Sequence, residues 1–321
     1  MEKFNAEKLW DPATYGITDN ESLAKNTMAN YELTHPVLPA MIHNLYHNIS
    51  AMHNLEPVTN LFNSCPGGQF IVAGAGPSLT TNAITTCANA VRDLGAILIA
   101  VDAAWQDFKE EGITPHATVT IDPMSSVKGM FSPMYYEEDD KFIVGMLTHP
   151  SVIRELTGAK KYAYGIISPF HHLYLLARKL LPESCYGLRS GSVVTLTAID
   201  LAMWMGADKV ITIGNELCYR ERDEVPEVHA HTIVNDTDIN HEIRYTIPAF
   251  INARAQLVQT VKWHGDNVQF IDASAGLQRN GWYIADDLDM ALEGMFRAEY
   301  MPDFEDTELR KVDQEGARHG R

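Results

Sequence analysis

The chain is poor in cysteine, in long apolar runs and in positive charge. Its four cysteines, Cys65, Cys87, Cys185 and Cys218, form no Cys-x-x-Cys pair. That excludes a cysteine-built zinc module and a disulfide framework, and scattered reduced thiols fit a cytoplasmic protein. No stretch of about 18 apolar residues is present to cross a bilayer, so no membrane span is expected. The first residues, MEKFNAEKLWD, contain no apolar signal core. Lys and Arg number 25 against 42 Asp and Glu, a net charge of −17. Such a surface repels nucleic acid and anionic lipid, which argues against a general phosphate-backbone binder. Internal repeats and low-complexity segments are also missing. What remains is a soluble, intracellular chain whose 321 residues, 45% of them hydrophobic, suffice for one large core or two.

The most informative stretch that is present is FIVAGAGPSL, residues 70–79. Its apolar part reads as a buried parallel strand, and the residues after Leu79 read as a helix. Gly74 and Gly76 then fall in a strand-to-helix turn, where missing Cβ atoms allow close backbone approach. Pro77 and Ser78 complete the turn, and a helix N-terminus there offers unpaired N–H groups suited to phosphate. The competing reading is a turn that only packs a helix tightly on a sheet. The motif is neither the dinucleotide fingerprint, which needs a third glycine, nor a P-loop, which needs Gly-Lys-Ser/Thr.

From Gln69 the pattern alternates. Strands are expected at 70–73, 96–101, 117–121, 142–147, 162–167, 209–213 and 268–271, with helices at 79–94, 192–205 and 249–263. This alternation specifies an α/β fold, a Rossmann-like, doubly wound and mostly parallel sheet. Residues 1–66 read as an N-terminal helical extension, packed on the core or serving as an oligomer arm, so a homo-oligomer is among the expected partners. Residues 67–276 read as the Rossmann-like core with its candidate nucleotide site, and 277–321 as a C-terminal helix and charged tail. His43, His47 and His53 lie at helical spacing but lack accompanying carboxylates, which favours solvated histidines over a metal site.

Ligands of such sheets bind beyond the carboxyl ends of the strands. That rule gathers the turn 74–78, Asp102, Asp122, His149, Gly214, Asn215, Glu216 and Asp272 into one cleft. Asp102 is placed to meet a ribose hydroxyl or to cap a helix. Asp122 is a cap, a metal ligand or a substrate contact. Gly191 and Ser192 are expected at the N-terminus of the 192–205 helix, a second seat for an anion. The polar stretch after Tyr219 carries His229, His231 and His241. One of these is expected to act as general acid or base, with metal binding by His229 and His231 and a plain solvated loop as the alternatives.

Five ordered motifs carry a resemblance: FIVAGAGPSL, IAVDAAW, ITPHATVTIDP, SGSVVTLTAIDLAMWMGADKVITIGNELCY and VQFIDASAGL. The chain resembles the motility accessory factors (flagellin glycosyltransferases), whose superfamily includes the 6-hydroxymethylpterin diphosphokinase-like proteins, and its landmarks look like those of bacterial sialyltransferases. The resemblance spans about residues 69–276. In the sialyltransferase-like branch it implies that Gly74, Gly76, Pro77, Ser78, Gly191 and Ser192 hold the nucleotide of a CMP-sugar. His231 or His229 would serve as base on the acceptor hydroxyl, with Glu216 as an alternative base. Ala75 stands where the sialyltransferases carry a donor-contacting asparagine, which moves the chain toward the motility-factor type. The diphosphokinase branch implies an acid-rich turn, and here Thr120-Ile121-Asp122-Pro123 has one acid fewer. It also implies a His-Gly-Asp-Asn strand end, where this chain has Thr148-His149-Pro150.

The expectation is therefore a transferase with a small-molecule nucleotide donor and no tightly bound cofactor. Glycosyl transfer from a CMP-nonulosonate-type sugar leads. Pyrophosphoryl transfer from ATP with Mg²⁺, and a non-catalytic nucleotide-binding scaffold, are the alternatives. The metal and the acceptor, whether protein, glycan or small molecule, are left open.

Overall fold

A computed structural model describes residues 37–131, 137–156, 158–167, 179–182, 185, 188–226, 233–238, 240–265, 267–277, 279, 281–294 and 298–299. It opens with α1 (Leu38–Met52) and a two-residue strand, β1 (Glu56–Pro57). Then come β2 (Gly68–Ala73), α2 (Thr81–Leu94), β3 (Ile97–Val101), α3 (Asp102–Glu110) and β4 (Ala117–Thr120). Next are β5 (Lys141–Gly145), α4 (Pro150–Glu155), β6 (Lys160–Tyr164) and the short pair β7 (Ile166–Ile167) and β8 (Leu188–Arg189). The second half holds α5 (Val194–Met205), β9 (Ala207–Ile213), β10 (Val234–Thr237), β11 (Ile243–Thr246) and α6 (Pro248–His264). It closes with β12 (Gln269–Asp272), β13 (Tyr283–Ile284), α7 (Leu288–Glu293) and β14 (Ala298–Glu299).

Ten strands form one sheet in the order β1-β6-β5-β4-β3-β2-β9-β12-β13-β14. Every neighbouring pair is parallel except β13 with β14. Successive strands from β2 to β6 step one way, and the chain then returns through α5 to lay β9 on the other side of β2. The fold is Rossmann-like, and its topological switch point lies between β2 and β9.

The central strands are apolar because helices cover both faces: Phe70, Ile71, Val72, Leu98, Ile99, Val210 and Ile211 have no exposed surface. α2 is amphipathic, with Ile84, Cys87 and Ala90 inward; Thr80 caps its start, accepting from the Ala83 amide at 3.2 Å, and Gly95 ends it in a left-handed conformation. α5 is buried over most of its length. It carries Asp200 inside because Arg189 pairs with it at 2.5 Å.

The N-terminal segment is tied into this sheet. β1 pairs with β6, and two buried asparagines of α1 clamp the loops that leave β4 and β5. Asn44 Nδ2 donates to the Pro123 and Leu147 carbonyls at 2.8 and 3.0 Å, and Asn48 Nδ2 to those of Met146 and Thr148 at 3.0 and 2.7 Å. The opposite face of α1 exposes His43 and His47, and His53 lies exposed just past its end. No group of three His, Cys, Asp or Glu side chains suited to a metal ion occurs among the described residues.

Candidate active site at the switch point

The turn after β2 and the turn after β9 grip one another. Gly74 N donates to the Ile213 carbonyl at 2.8 Å and Gly76 N to that of Gly214 at 2.9 Å. In return Gly214 N donates to Ser78 Oγ at 2.8 Å. A Cβ on Gly74 would overlap the Gly214 carbonyl, and one on Gly214 would overlap the Gly74 carbonyl. The glycines therefore let two backbones touch; Gly214, at φ +67°, also turns the chain away from the sheet. Pro77 is exposed and supplies no donor.

Glu216 lies against this turn. Its Oε1 accepts from Ser78 N at 2.6 Å, and a Cβ on Gly76 would run into its Oε2. The side chain is 8% exposed and Oε2 has no hydrogen-bond partner. Burial raises the Glu216 pKa, with a further push from the Asp272 carboxylate, against the lowering effect of Ser78.

The end of β12 completes this half of the edge. Ser274 Oγ accepts from Asn215 N at 3.1 Å, and Leu277 N donates to the Glu216 carbonyl at 2.9 Å. Arg279, 1% exposed, reaches the Asn215 carbonyl, Thr212 Oγ1 at 3.3 Å and Asp272 Oδ1 at 3.3 Å. Asn215 Nδ2, Glu216 Oε2, Asp272 Oδ2 and Arg279 Nε are buried without partners among the described residues. Ser274 and Arg279 were invisible as site residues in the sequence. The signal that could have found Arg279 is a lone cation seven residues past a strand-terminal aspartate.

The other half of the carboxyl edge holds Asp102 and Asp122, at the ends of β3 and β4. Asp102 is buried; its Oδ1 accepts from Ala103 N at 2.9 Å and its Oδ2 from Thr120 Oγ1 at 3.3 Å. Burial pushes its pKa up to about 7, and the Asp122 charge adds to that. Asp122 is half-buried and raised by desolvation, while His149 pulls it back; its Oδ1 accepts from Met124 N at 2.7 Å. His149 itself caps α4, its Nδ1 lying 2.7 Å from Ser151 Oγ.

Gly191 and Ser192 do not sit in a helix N-terminus. α5 begins at Val194, two residues later than expected. Ser192 N donates to Gln256 Oε1 at 3.1 Å and Ser192 Oγ accepts from Asn252 Nδ2 at 2.8 Å, so α6 holds this segment. α5 does approach the first turn: a Cβ on Gly74 would lie 3.6 Å from Thr195 Oγ1. The stretch expected to be one long loop folds in part into a hairpin, β10 against β11. His241 lies exposed in its turn at φ +64°. His229 and His231 lie outside the described residues.

A doubly wound, mostly parallel sheet with polar turns converging at its switch point defines a Rossmann-like fold. The chain belongs to the 6-hydroxymethylpterin diphosphokinase MptE-like family, whose model matches residues 43–222, more than half of its length. Among solved structures it is similar to the MAf glycosyltransferase from Magnetospirillum magneticum AMB-1, with a TM-score of 0.55 and 18% identity. That match covers 78% of this chain and 42% of the other, so the chain spans less than half the length of that enzyme. At this identity the likeness speaks for the fold. No curated protein matches the chain. Where the family description and the fold neighbour agree is the general class, a transferase.

Proposed function

We propose that the chain transfers a glycosyl group from a nucleotide-activated sugar of the CMP-nonulosonate type. The nucleotide would sit at the switch point between β2 and β9. The observation that carries this reading is the convergence of the 74–78 turn with Gly214, Asn215 and Glu216, where a buried Asn215 Nδ2 has no partner among the described residues. In the reaction the acceptor hydroxyl oxygen attacks the anomeric carbon, a base takes its proton, and the bond to the phosphate oxygen breaks to release CMP. His231 or His229 is the proposed base, by resemblance. Glu216 is the alternative, and its raised pKa suits a proton acceptor near neutral pH. Asp102 and Asp122 are proposed donor-sugar contacts.

Glycosyl transfer is favoured over pyrophosphoryl transfer because the turn after β4 carries Asp122 as its sole acid, and that carboxylate already closes a turn onto Met124. The second reading, Mg²⁺-dependent pyrophosphoryl transfer from ATP to the hydroxymethyl group of a pterin with release of AMP, draws on the family description and on charge. Asp102, Asp122, Glu216 and Asp272 give the carboxyl edge four carboxylates, which a polyphosphate meets comfortably only through a divalent cation. Asp122 and Asp102 would hold it, with phosphate oxygens and water filling the remaining positions.

Thermal stabilisation by CMP, CTP, UDP, GDP, AMP and ATP, each with and without Mg²⁺, tests the reading. A metal-independent preference for CMP or CTP is the expected outcome. A preference for ATP or AMP with Mg²⁺ transfers the case to pyrophosphoryl transfer. No response to any nucleotide overturns both.

A further inference from the structure

The chain's own carboxylate occupies the place where the 74–78 turn would offer a donor to an anion. Of that turn's amides, those of Gly74 and Gly76 are spent on β9 and its turn, and that of exposed Ala75 makes no hydrogen bond among the described residues; just past the turn, Leu79 N bonds back to the Gly76 carbonyl at 2.9 Å. The Ser78 amide is spent on Glu216 Oε1. This tenancy is poorly satisfied. A carboxylate has two oxygens and room for about four hydrogen bonds, yet Oε2 is buried beside Gly76 with none. The charged and titratable groups that act on Glu216 from around it do little to hold it. Asp272 at the end of β12 repels it. Burial pushes the Cys218 thiol on its own segment up to about 12, with a further push from Glu216 itself. The Arg279 guanidinium is engaged with Asp272 and the Asn215 carbonyl.

The backbone on either side is bent unusually. Gly214 has φ +67° and Leu217 φ +58°, the latter a conformation that costs a branched side chain energy and marks functional loops. Asn215 and Glu216 lie between these two positions. Asn215 Nδ2 is buried with no hydrogen-bond partner among the described residues.

We infer that Glu216 is an intramolecular competitor for the phosphoryl group of the ligand: a phosphate docks on the Ser78 amide only when the Glu216 side chain has left it. The inference deepens the proposed function, since it rests on a phosphate-bearing ligand binding at this turn. No covalent step is involved, only the exchange of one anion for another on the same N–H.

Inorganic phosphate is the probe, measured by calorimetric titration of the full chain. Glu216→Gln and Glu216→Ala are expected to bind phosphate at least about tenfold more tightly than the parent, the scale of one charge-assisted hydrogen bond no longer to be displaced. Glu111→Gln, which removes a carboxylate at the far end of α3, is the control for general charge and is expected to change affinity less than about twofold. In the unmodified chain, saturating phosphate is expected to shift the Ser78 amide resonance, a readout independent of any variant. Unchanged or weaker binding in both Glu216 variants, or an unmoved Ser78 amide at saturation, overturns the inference. A gain for phosphate in the Glu216 variants without any nucleotide response would remove the transferase reading and leave the competing seat intact.

Discussion

The two halves of the carboxyl edge use polar residues in opposite ways. Around Asp102, Asp122 and His149, side chains are engaged locally: Asp102 by Ala103 and Thr120, Asp122 by Met124, His149 by Ser151. Around Gly74, Asn215 and Glu216, backbones touch through glycines and four buried polar atoms have no partner among the described residues. Native proteins pair nearly all buried polar groups, so a cluster of unpaired ones asks for a ligand. The comparison sets locally engaged side chains in the first half against unpaired ones in the second, where the proposed nucleotide recognition lies.

The largest expected effect falls on the recognition half. Gly74→Val drives a side chain into the Gly214 carbonyl, which is backbone and has little room to yield. A loss above about 4 kcal/mol in denaturant unfolding is expected. Gly95→Val is the contrast: space is open there and only its φ of +67° opposes the substitution, so a clearly smaller loss is expected. Equal losses at the two positions would break the claim that backbone contact is what the Gly74 position serves.

The next effect belongs to the structural half and depends on pH. Asp102 keeps its proton in the folded state up to about 7, against an ordinary value of 3.8. Between those values the folded state binds a proton that the unfolded state has lost. The stability from that proton is full below about pH 4, falls as pH rises to about 7, and stays lost above. Asp102→Asn keeps a neutral group of the same shape at every pH. It is expected to stabilise the chain by about 4 kcal/mol at pH 8 and by almost nothing at pH 4, read from urea midpoints at the two values. A variant no more stable than the parent at pH 8 would show that Asp102 is held ionised.

The smallest effect tests the cap. His149→Ala removes the side chain that accepts from Ser151 N at 3.3 Å at the head of α4. A loss of about 1 kcal/mol in thermal or urea unfolding, with nucleotide affinity unchanged, is expected. A fall in affinity with stability intact would move His149 into the recognition half.

Much of this layout was legible in the sequence because central parallel strands are continuous apolar runs. β2, β3, β4, β5, β6, β9 and β12 lie largely within those runs, and α2, α5 and α6 lie between them. The two-residue strands β1 and β13 are too short to carry a period. The β10–β11 hairpin escaped because its residues are polar and half-exposed, so no core imprints an alternation on them. The late start of α5 was hidden because Gln256 and Asn252, far along the chain, hold Ser192. Within the site, the glycine turn was legible as a turn at the right edge. Its close contact with Gly214 was not, since that depends on which strand returns beside β2. That Asn215 Nδ2 and Glu216 Oε2 lie buried without partners among the described residues is likewise a property of packing that no local pattern records.

The central claim is that the switch point is where the nucleotide is recognised, and Asn215→Ala tests it most directly. Asn215 Nδ2 has no partner to lose, so the variant is expected to melt at the temperature of the parent. The dissociation constant for CMP, measured by calorimetric titration on both chains, is predicted to rise about tenfold, the scale of one hydrogen bond made only to the ligand. Equal affinity in the two chains would contradict the account and place the nucleotide elsewhere.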